Sequence, residues 1–125
     1  MPSTRTDLRI KIFATVGSEV KAQHLVDNHH IPRDRIFNSR KTRFKEDVLR
    51  VTGGRGVDIV LNSLSGECLH ASWECVAEFG TMVEIGKRDM MGHGSLRMDQ
   101  FEGNRSFFGV DLHHMGVKRP AEVFR

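Results

Sequence analysis

Val57-Asp58-Ile59-Val60-Leu61 is the stretch that decides the fold. It is almost entirely apolar and rich in β-branched residues, which is typical of a strand buried on both faces inside a parallel sheet. The glycines of 53–56 before it favour a turn, and the polar pair Asn62-Ser63 follows it directly. We therefore expect a central strand here whose carboxyl end opens onto polar side chains.

Strand-like and helix-like segments alternate on both sides of this stretch. Upstream, the pattern predicts a strand over 10–16, a helix from a Ser18 cap to about His29, a short strand over 35–38 and a helix from Thr42 to Gly53. Downstream, it predicts a helix over 67–78, a strand over 81–85, an irregular segment over 90–104 and a strand over 107–112. Strands separated by helices imply right-handed βαβ units, so the predicted class is α/β with a parallel sheet.

Composition restricts the function classes. The 125 residues suffice for one small domain, and the interspersed charges, with a formal net charge of +3, do not favour a nucleic-acid surface. No apolar run approaches the roughly 20 residues of a membrane helix, and no signal peptide is evident, so we expect a cytoplasmic protein without membrane contact. The seven histidines show no metal-ligand spacing, and the two cysteines are expected to be reduced thiols.

The first two predicted strand ends carry cations and hydroxyls, and parallel α/β sheets bind ligands at these carboxyl ends. The first end has no acid for a ribose hydroxyl, and Lys21 lies in the first turn of a helix capped by Ser18, where a bound phosphate would offset its charge. The second end offers Ser39 and Arg40, and together the two ends favour a 2′-phosphate pocket. Ordinary capping by Ser18 with solvated Lys21 and Arg40 remains the alternative.

Two further strand ends are polar. Asn62 and Ser63 could donate hydrogen bonds to a ribose or carboxamide, although an Asx turn and helix cap would use the same residues. Lys87 ends the strand after Ile85, where a surface turn is the competing interpretation. No G-x-G-x-x-G motif, the usual opening of a dinucleotide-binding sheet, occurs in the sequence.

Read in order, these segments resemble a known family. The motifs are Thr15-Val16-Gly17-Ser18, Ile36-Phe37-Asn38-Ser39-Arg40, the segment 54–64, Trp73-Glu74-Cys75 and the segment 83–89. They are similar to the enoyl reductase domain of fungal highly reducing polyketide synthases, in the zinc-free, quinone-reductase-like branch of the medium-chain dehydrogenase/reductase superfamily. The resemblance covers about Ile12 to Leu112 and divides the chain into an unrelated segment, 1–11, and a partial NADPH-binding domain, 12–125.

The resemblance implies a role for each strand end. It implies that the adenosine 2′-phosphate of NADPH is surrounded by Ser18, Lys21, Ser39 and Arg40. It implies that Asn62 and Ser63 line the path to the nicotinamide ribose and that Lys87 or Asp111 protonates the substrate. That substrate would be an α,β-unsaturated thioester on an acyl carrier protein, reduced during secondary-metabolite or toxin synthesis.

The sequence departs from the family pattern in what it lacks. It contains no counterpart of the family's first strand, Gly-rich loop or substrate barrel, so we expect a partial Rossmann-like doubly wound sheet with weak or no reductase activity alone. Two alternatives stay open. The chain could be an interaction module that associates with a larger synthase through the open face, or an inactive fragment.

Overall fold

The structure is a computed structural model that describes residues 10–123. It divides into two compact units, Met1–Phe44 and Lys45–Arg125. The unrelated segment predicted for 1–11 lies outside the described residues, apart from its last two positions.

The first unit is a single parallel βαβ crossover. Strand β1 (Ala14–Val16) pairs with β2 (Ile36–Asn38), and helix α1 (Glu19–His29) connects them. The Ser18 hydroxyl accepts a hydrogen bond from the Lys21 backbone N–H at 3.3 Å, which confirms the predicted N-cap. The rings of Phe13 and Phe37 stack with their centroids 6.3 Å apart.

The second unit contains the remaining strands and α-helices. In chain order they are α2 (Phe44–Val51, beginning at the last residue of the first unit), β3 (Val57–Asn62), α3 (Glu67–Glu74), β4 (Val76–Glu84), α4 (Arg88–Met91), β5 (Ser106–Gly109), α5 (Leu112–Lys118) and α6 (Pro120–Val123). The three strands form a parallel sheet in the order β3-β4-β5. The parallel pairing in both units confirms the predicted α/β class.

Trp73 is the centre of the second unit's core. Its side chain is fully buried among Leu69, Val76 and Met82. The indole Nε1–H donates to the Arg97 carbonyl at 3.0 Å, so burial leaves no orphaned donor on this ring. The Trp73 side chain therefore ties α3 to the loop before β5.

Burial of β3 on both faces was a wrong expectation. Ile59 and Leu61 are 73% and 70% exposed, whereas Val60 packs on the core and Asn62 is buried. Alternate residues of a strand face opposite sides, and only one side of β3 is covered. Among the described residues β3 is also an edge strand of its sheet.

The predicted helix over 67–78 is too long. Helix α3 ends at Glu74, because the Cys75 carbonyl accepts the Val57 N–H at 2.8 Å and Val76 already pairs with Val57 in the sheet. The register between β3 and β4 then shifts between Val57 and Ile59, and Phe79, on the β4 side of this shift, adopts a left-handed φ of 63°. Local apolar spacing could not reveal this bulge, because the partner strand imposes it.

Two predicted strands are shorter than expected. The strand over 10–16 begins at Ala14, because its partner β2 has only three residues. The strand over 107–112 ends at Gly109, because the Asp111 side chain accepts the His114 N–H at 2.9 Å and starts α5. Asp111 is therefore a helix cap beyond β5 rather than a strand residue.

Candidate functional site

The parallel pairing in the first unit makes its two predicted strand ends neighbours. The Ser39 N–H donates to the Val16 carbonyl at 2.8 Å, and the Arg40 Nε–H donates to the Gly17 carbonyl. The Arg40 backbone N–H donates to Asn38 Oδ1 at 2.8 Å, which fixes the turn after β2. Arg40 thus spans from one strand end to the other.

The charges of these strand ends are not balanced locally. Glu19, the acid in the first turn of α1, forms an ion pair with Arg33 at 2.5 Å rather than with Lys21. Within residues 10–121, neither Lys21 nor Arg40 forms an ion pair with a carboxylate. The first unit therefore offers an exposed ammonium and an exposed guanidinium beside a helix N-terminus, which is the chemistry that attracts an anion.

In the second unit the parallel strands bring Lys87 and Asp111 together. The Val110 N–H donates to the Glu84 carbonyl at 2.8 Å, so the segments after β4 and β5 run side by side. Lys87 Nζ lies 3.2 Å from Asp111 Oδ2, and both side chains are partly exposed. The His114 backbone N–H and the Lys87 ammonium hold the pKa of Asp111 below its ordinary value.

A cavity of about 260 Å³ lies beside Lys87. The strand ends contribute Ser63 and Gly86 to its wall, α4 contributes Met90, and the floor includes Leu69 and Phe107. The Asp89 carboxylate accepts the Gly66 N–H at 2.9 Å and so links the start of α4 to the start of α3. An apolar floor with a polar rim is typical of a small-molecule site.

Asn62 is placed differently from Ser63. Its side chain is buried, and the amide donates to the Leu64 carbonyl at 2.8 Å and to the Glu84 carboxylate. Its Oδ1 accepts the Ser72 hydroxyl at 3.1 Å. All three polar contacts stay inside the protein, so Asn62 shapes the end of β3 while Ser63 reaches the cavity.

The sequence interpretation did not single out Glu84 or Asp89, and both contribute to this site. Glu84 is buried at the end of β4 and also lines the cavity. The one acid in the apolar run Met82-Val83-Glu84-Ile85 was the signal available in the sequence. A charged residue inside a buried strand requires partners, and these are visible only in the structure.

Metal-binding clusters and membrane-spanning helices are both absent from the described part of the chain. No group of three or more His, Cys, Asp or Glu side chains in residues 10–121 is arranged to hold a metal ion. No helix among these residues has the length and apolarity required to cross a bilayer.

Comparison with known families finds a match over nearly the whole chain. Residues 7–122 match the family described as zinc-binding dehydrogenase. The match begins at residue 7, inside the segment 1–11 that the motifs predicted to be unrelated to the family. Residues 10–121 contain no cluster of side chains that fits a zinc ion, so the name of the family does not correspond to a metal site in this part of the chain.

Fungal synthases are similar to this chain in sequence. It is 60% identical over 115 residues to the highly reducing polyketide synthase lcsB of Purpureocillium lilacinum and 62% identical over 103 residues to FUM1 of Gibberella moniliformis. These alignments cover 92% and 82% of this chain but only 5% and 4% of the synthases.

Solved enoyl reductases are similar in structure. The nucleotide-binding subdomain of the enoylreductase domain of PpsC from Mycobacterium tuberculosis superposes with a TM-score of 0.81 at 30% identity, over 97% of this chain and 66% of that one. CurK enoyl reductase superposes with a TM-score of 0.69 at 34% identity, over 90% of this chain and 32% of that one.

Proposed function

This chain belongs to the zinc-binding dehydrogenase family, as part of an enoyl reductase domain of the medium-chain dehydrogenase/reductase superfamily, and we propose that it serves NADPH-dependent reduction of α,β-unsaturated acyl thioesters. The thioester would be presented on an acyl carrier protein during polyketide synthesis. The observation that most directly supports this proposal is the Lys87–Asp111 ion pair, with Nζ and Oδ2 3.2 Å apart, at the carboxyl ends of neighbouring parallel strands. The cavity beside Lys87 supplies the space for a reacting group.

The first unit supports the choice of NADPH over NADH. In the proposal the 2′-phosphate is held by Lys21 and Arg40, with the hydroxyls of Ser18 and Ser39 as further donors. The Ser18 hydroxyl already accepts the Lys21 N–H, and a hydroxyl can accept and donate at the same time. The absence of an acid partner for either cation, among the described residues, leaves both charges for the ligand.

NADPH, when bound, supplies a hydride to the β-carbon of the unsaturated thioester. Lys87 holds a proton on Nζ and delivers it to the α-carbon, so that one hydride and one proton saturate the double bond. The Asp111 carboxylate orients the ammonium and can take part in its reprotonation. Ser63 donates from the cavity rim toward the nicotinamide ribose, and Asn62 keeps the end of β3 in place.

Cofactor preference is tested on the chain as it stands. Titrations with NADPH and NADH, followed by nuclear magnetic resonance, should show tighter binding of NADPH. Lys21→Ala with Arg40→Ala should weaken NADPH binding by at least about tenfold, since each lost charge-assisted hydrogen bond contributes about 1.5–3 kcal/mol. Arg50→Ala, at an exposed arginine of the second unit, is the control. Equal affinity for the two cofactors would overturn the assignment of the 2′-phosphate.

Catalysis is tested in a chimera. Residues 12–112 of this chain would replace the aligned segment of the lcsB synthase, and NADPH oxidation with an enoyl thioester would be followed. Lys87→Met should lower turnover by at least about 100-fold, within the usual range for loss of a general acid, whereas Arg50→Met, which removes an exposed positive charge of α2 inside the transferred segment, should not. Unchanged turnover in Lys87→Met would remove Lys87 as the proton donor. The isolated chain should show little or no turnover.

One observation favours a second function, that of a non-catalytic interaction module. Ile59 and Leu61 are exposed on the same face of β3, at the edge of the sheet as far as the described residues go. Exposed edge strands recruit other chains. Capture of a purified polyketide synthase by the immobilised chain, lost in Ile59→Lys with Leu61→Lys, would support this function; capture that survives the two lysines would not.

A further inference from the structure

Glu84 is the one charged side chain, among residues 10–121, that is almost fully buried, at 2% exposure. Burying a carboxylate costs free energy unless hydrogen bonds replace its water. Here each oxygen has a donor: Oε1 accepts from the Asn62 amide, and Oε2 accepts from the Gly86 backbone N–H at 2.8 Å. The carboxylate therefore joins the end of β3 to the turn that follows β4.

The backbone of Glu84 makes a third connection. Its carbonyl accepts the Val110 N–H at 2.8 Å, from the residue immediately before Asp111. One residue thus contacts the end of β3, the turn that carries Lys87 and the segment that carries Asp111. The other carboxylate near this turn, that of Asp89, accepts instead from the Gly66 N–H at the start of α3.

Gly86 shows how closely the turn fits this carboxylate. A Cβ added at Gly86 would lie 2.7 Å from Glu84 Oε2 and 3.1 Å from the Ser63 carbonyl. The φ of Gly86 is not in the left-handed region, so space rather than backbone conformation requires a glycine here. The turn closes directly onto Glu84, and its closure sets where Lys87 emerges.

We propose that Glu84 is a positioning residue that holds the Lys87 turn in register with Asp111. The inference rests on the proposed function in so far as Lys87 is the proton donor. Its structural content, that Glu84 determines the Lys87–Asp111 geometry, is independent of any cofactor. Glu84 itself touches no reacting atom in this scheme and acts through Gly86 and Asn62.

The test uses Glu84→Gln in the full chain, without cofactor or substrate. The amide of glutamine is uncharged and has one acceptor oxygen where the carboxylate has two, so in either orientation of the amide the Gly86 N–H loses its charged acceptor. Hydrogen exchange of the Gly86 N–H should accelerate by at least about tenfold, as expected for loss of a hydrogen bond to a charged group. The carboxyl titration of Asp111, followed by carbon resonance, should move up because Lys87 is no longer held against it.

Two variants calibrate the result. Lys87→Met removes the ion pair and gives the largest rise that loss of Lys87 can cause in the pKa of Asp111; Glu84→Gln should give a measurable part of it. Glu78→Gln makes the same chemical change at an exposed position of the same strand and should alter neither readout. General destabilisation would not move the Asp111 titration of the folded protein.

A second route keeps the proposal decidable if Glu84→Gln does not fold. Gly86→Ala keeps residue 84 a glutamate but places a Cβ 2.7 Å from its Oε2, so the carboxylate and the turn must move apart and the Asp111 titration should again move up. An unchanged Asp111 titration and an unchanged exchange rate at position 86, in whichever variant folds, would overturn the proposal. Because no cofactor is involved, failure of the reductase chimera and failure of this test are separate outcomes.

Discussion

Cys75 shows how strongly its surroundings control a single side chain. Its thiol is buried at the junction of α3 and β4, and burial raises its pKa from 9.0 to about 12, with Glu74 and Glu46 adding to the rise and Lys45 opposing it. A thiol reacts as its thiolate, so this one should be inert. At pH 8 iodoacetamide should modify Cys75 far more slowly in the folded chain than in urea. Equal rates by mass spectrometry would show that the thiol is accessible.

The same raised pKa predicts a pH dependence of stability. The folded thiol keeps its proton more firmly than the unfolded one, so this contribution is complete below pH 9 and is lost as the pH rises toward 12. Between these limits the free energy of unfolding should fall by up to about 1.4 kcal/mol per pH unit. Urea titrations at pH 8, 9 and 10 measure this fall in the free energy of unfolding. Cys75→Ala should flatten the dependence of the free energy of unfolding on pH, and Cys68→Ala should not. The same dependence in Cys75→Ala and in the unmodified chain would contradict this role of Cys75.

At the scale of elements, the turn between α2 and β3 depends on Gly56. Its φ is 88°, and an added Cβ would lie 2.4 Å from the Cys75 carbonyl oxygen, which also accepts the Val57 N–H. Gly54 has a similar φ of 86° with open space around it. The two glycines therefore separate backbone strain from steric collision.

Alanine substitutions at these glycines should differ in cost. Gly54→Ala should lower the free energy of unfolding by about 1–2 kcal/mol, the cost of a left-handed conformation for a residue with a Cβ. Gly56→Ala should cost at least about 2 kcal/mol more, because β3 or the end of α3 must also move. Denaturant unfolding followed by circular dichroism compares the free energies of unfolding of the two variants. Equal losses would mean that the collision is relieved without cost.

The elements also show which features local sequence determines. Helix α1 follows from the Ser18 cap, and α2 follows from apolar spacing ended by glycines, because both signals lie within a few residues. The end of α3 and the start of β4 depend on hydrogen bonds from Val57, which is distant in sequence. The partners of Glu84 are equally distant, so its contribution to the site was not predictable from the residues around it.

The predicted site residues also differ in whether nearby or distant residues determine their placement. The strand-end rule indicated that Lys87 would lie at a ligand-binding edge, and the structure places it beside Asp111 and a cavity. The inward orientation of Asn62 depends on Ser72 and Glu84, which the rule does not consider. The roles of these residues in binding and catalysis stay predictions for the experiments above.

At the scale of the molecule, each of the two sheets, taken by itself, can be compared with part of a known strand order. Doubly wound dinucleotide-binding sheets follow the order 3-2-1-4-5-6. The pair β1-β2 fits strands 2 and 3, and β3-β4-β5 fits strands 4, 5 and 6. Strand 1, which carries the Gly-rich turn, has no counterpart among the described residues. Among the described residues β3, which fits strand 4, is an edge strand, and Ile59 and Leu61 are exposed on one of its faces.

The exposed face of β3 should therefore govern the association of the isolated chain. Ile59→Lys with Leu61→Lys places two charges on this face without touching the core side of the strand, where Val60 packs. Light scattering should show less self-association than in the unmodified chain. The control is Val20→Lys with Val117→Lys, which changes two exposed valines elsewhere in the chain and adds the same positive charge. It separates the effect of this face from that of net charge. If both double variants reduce scattering equally, charge alone explains the result and β3 is not a recruiting surface.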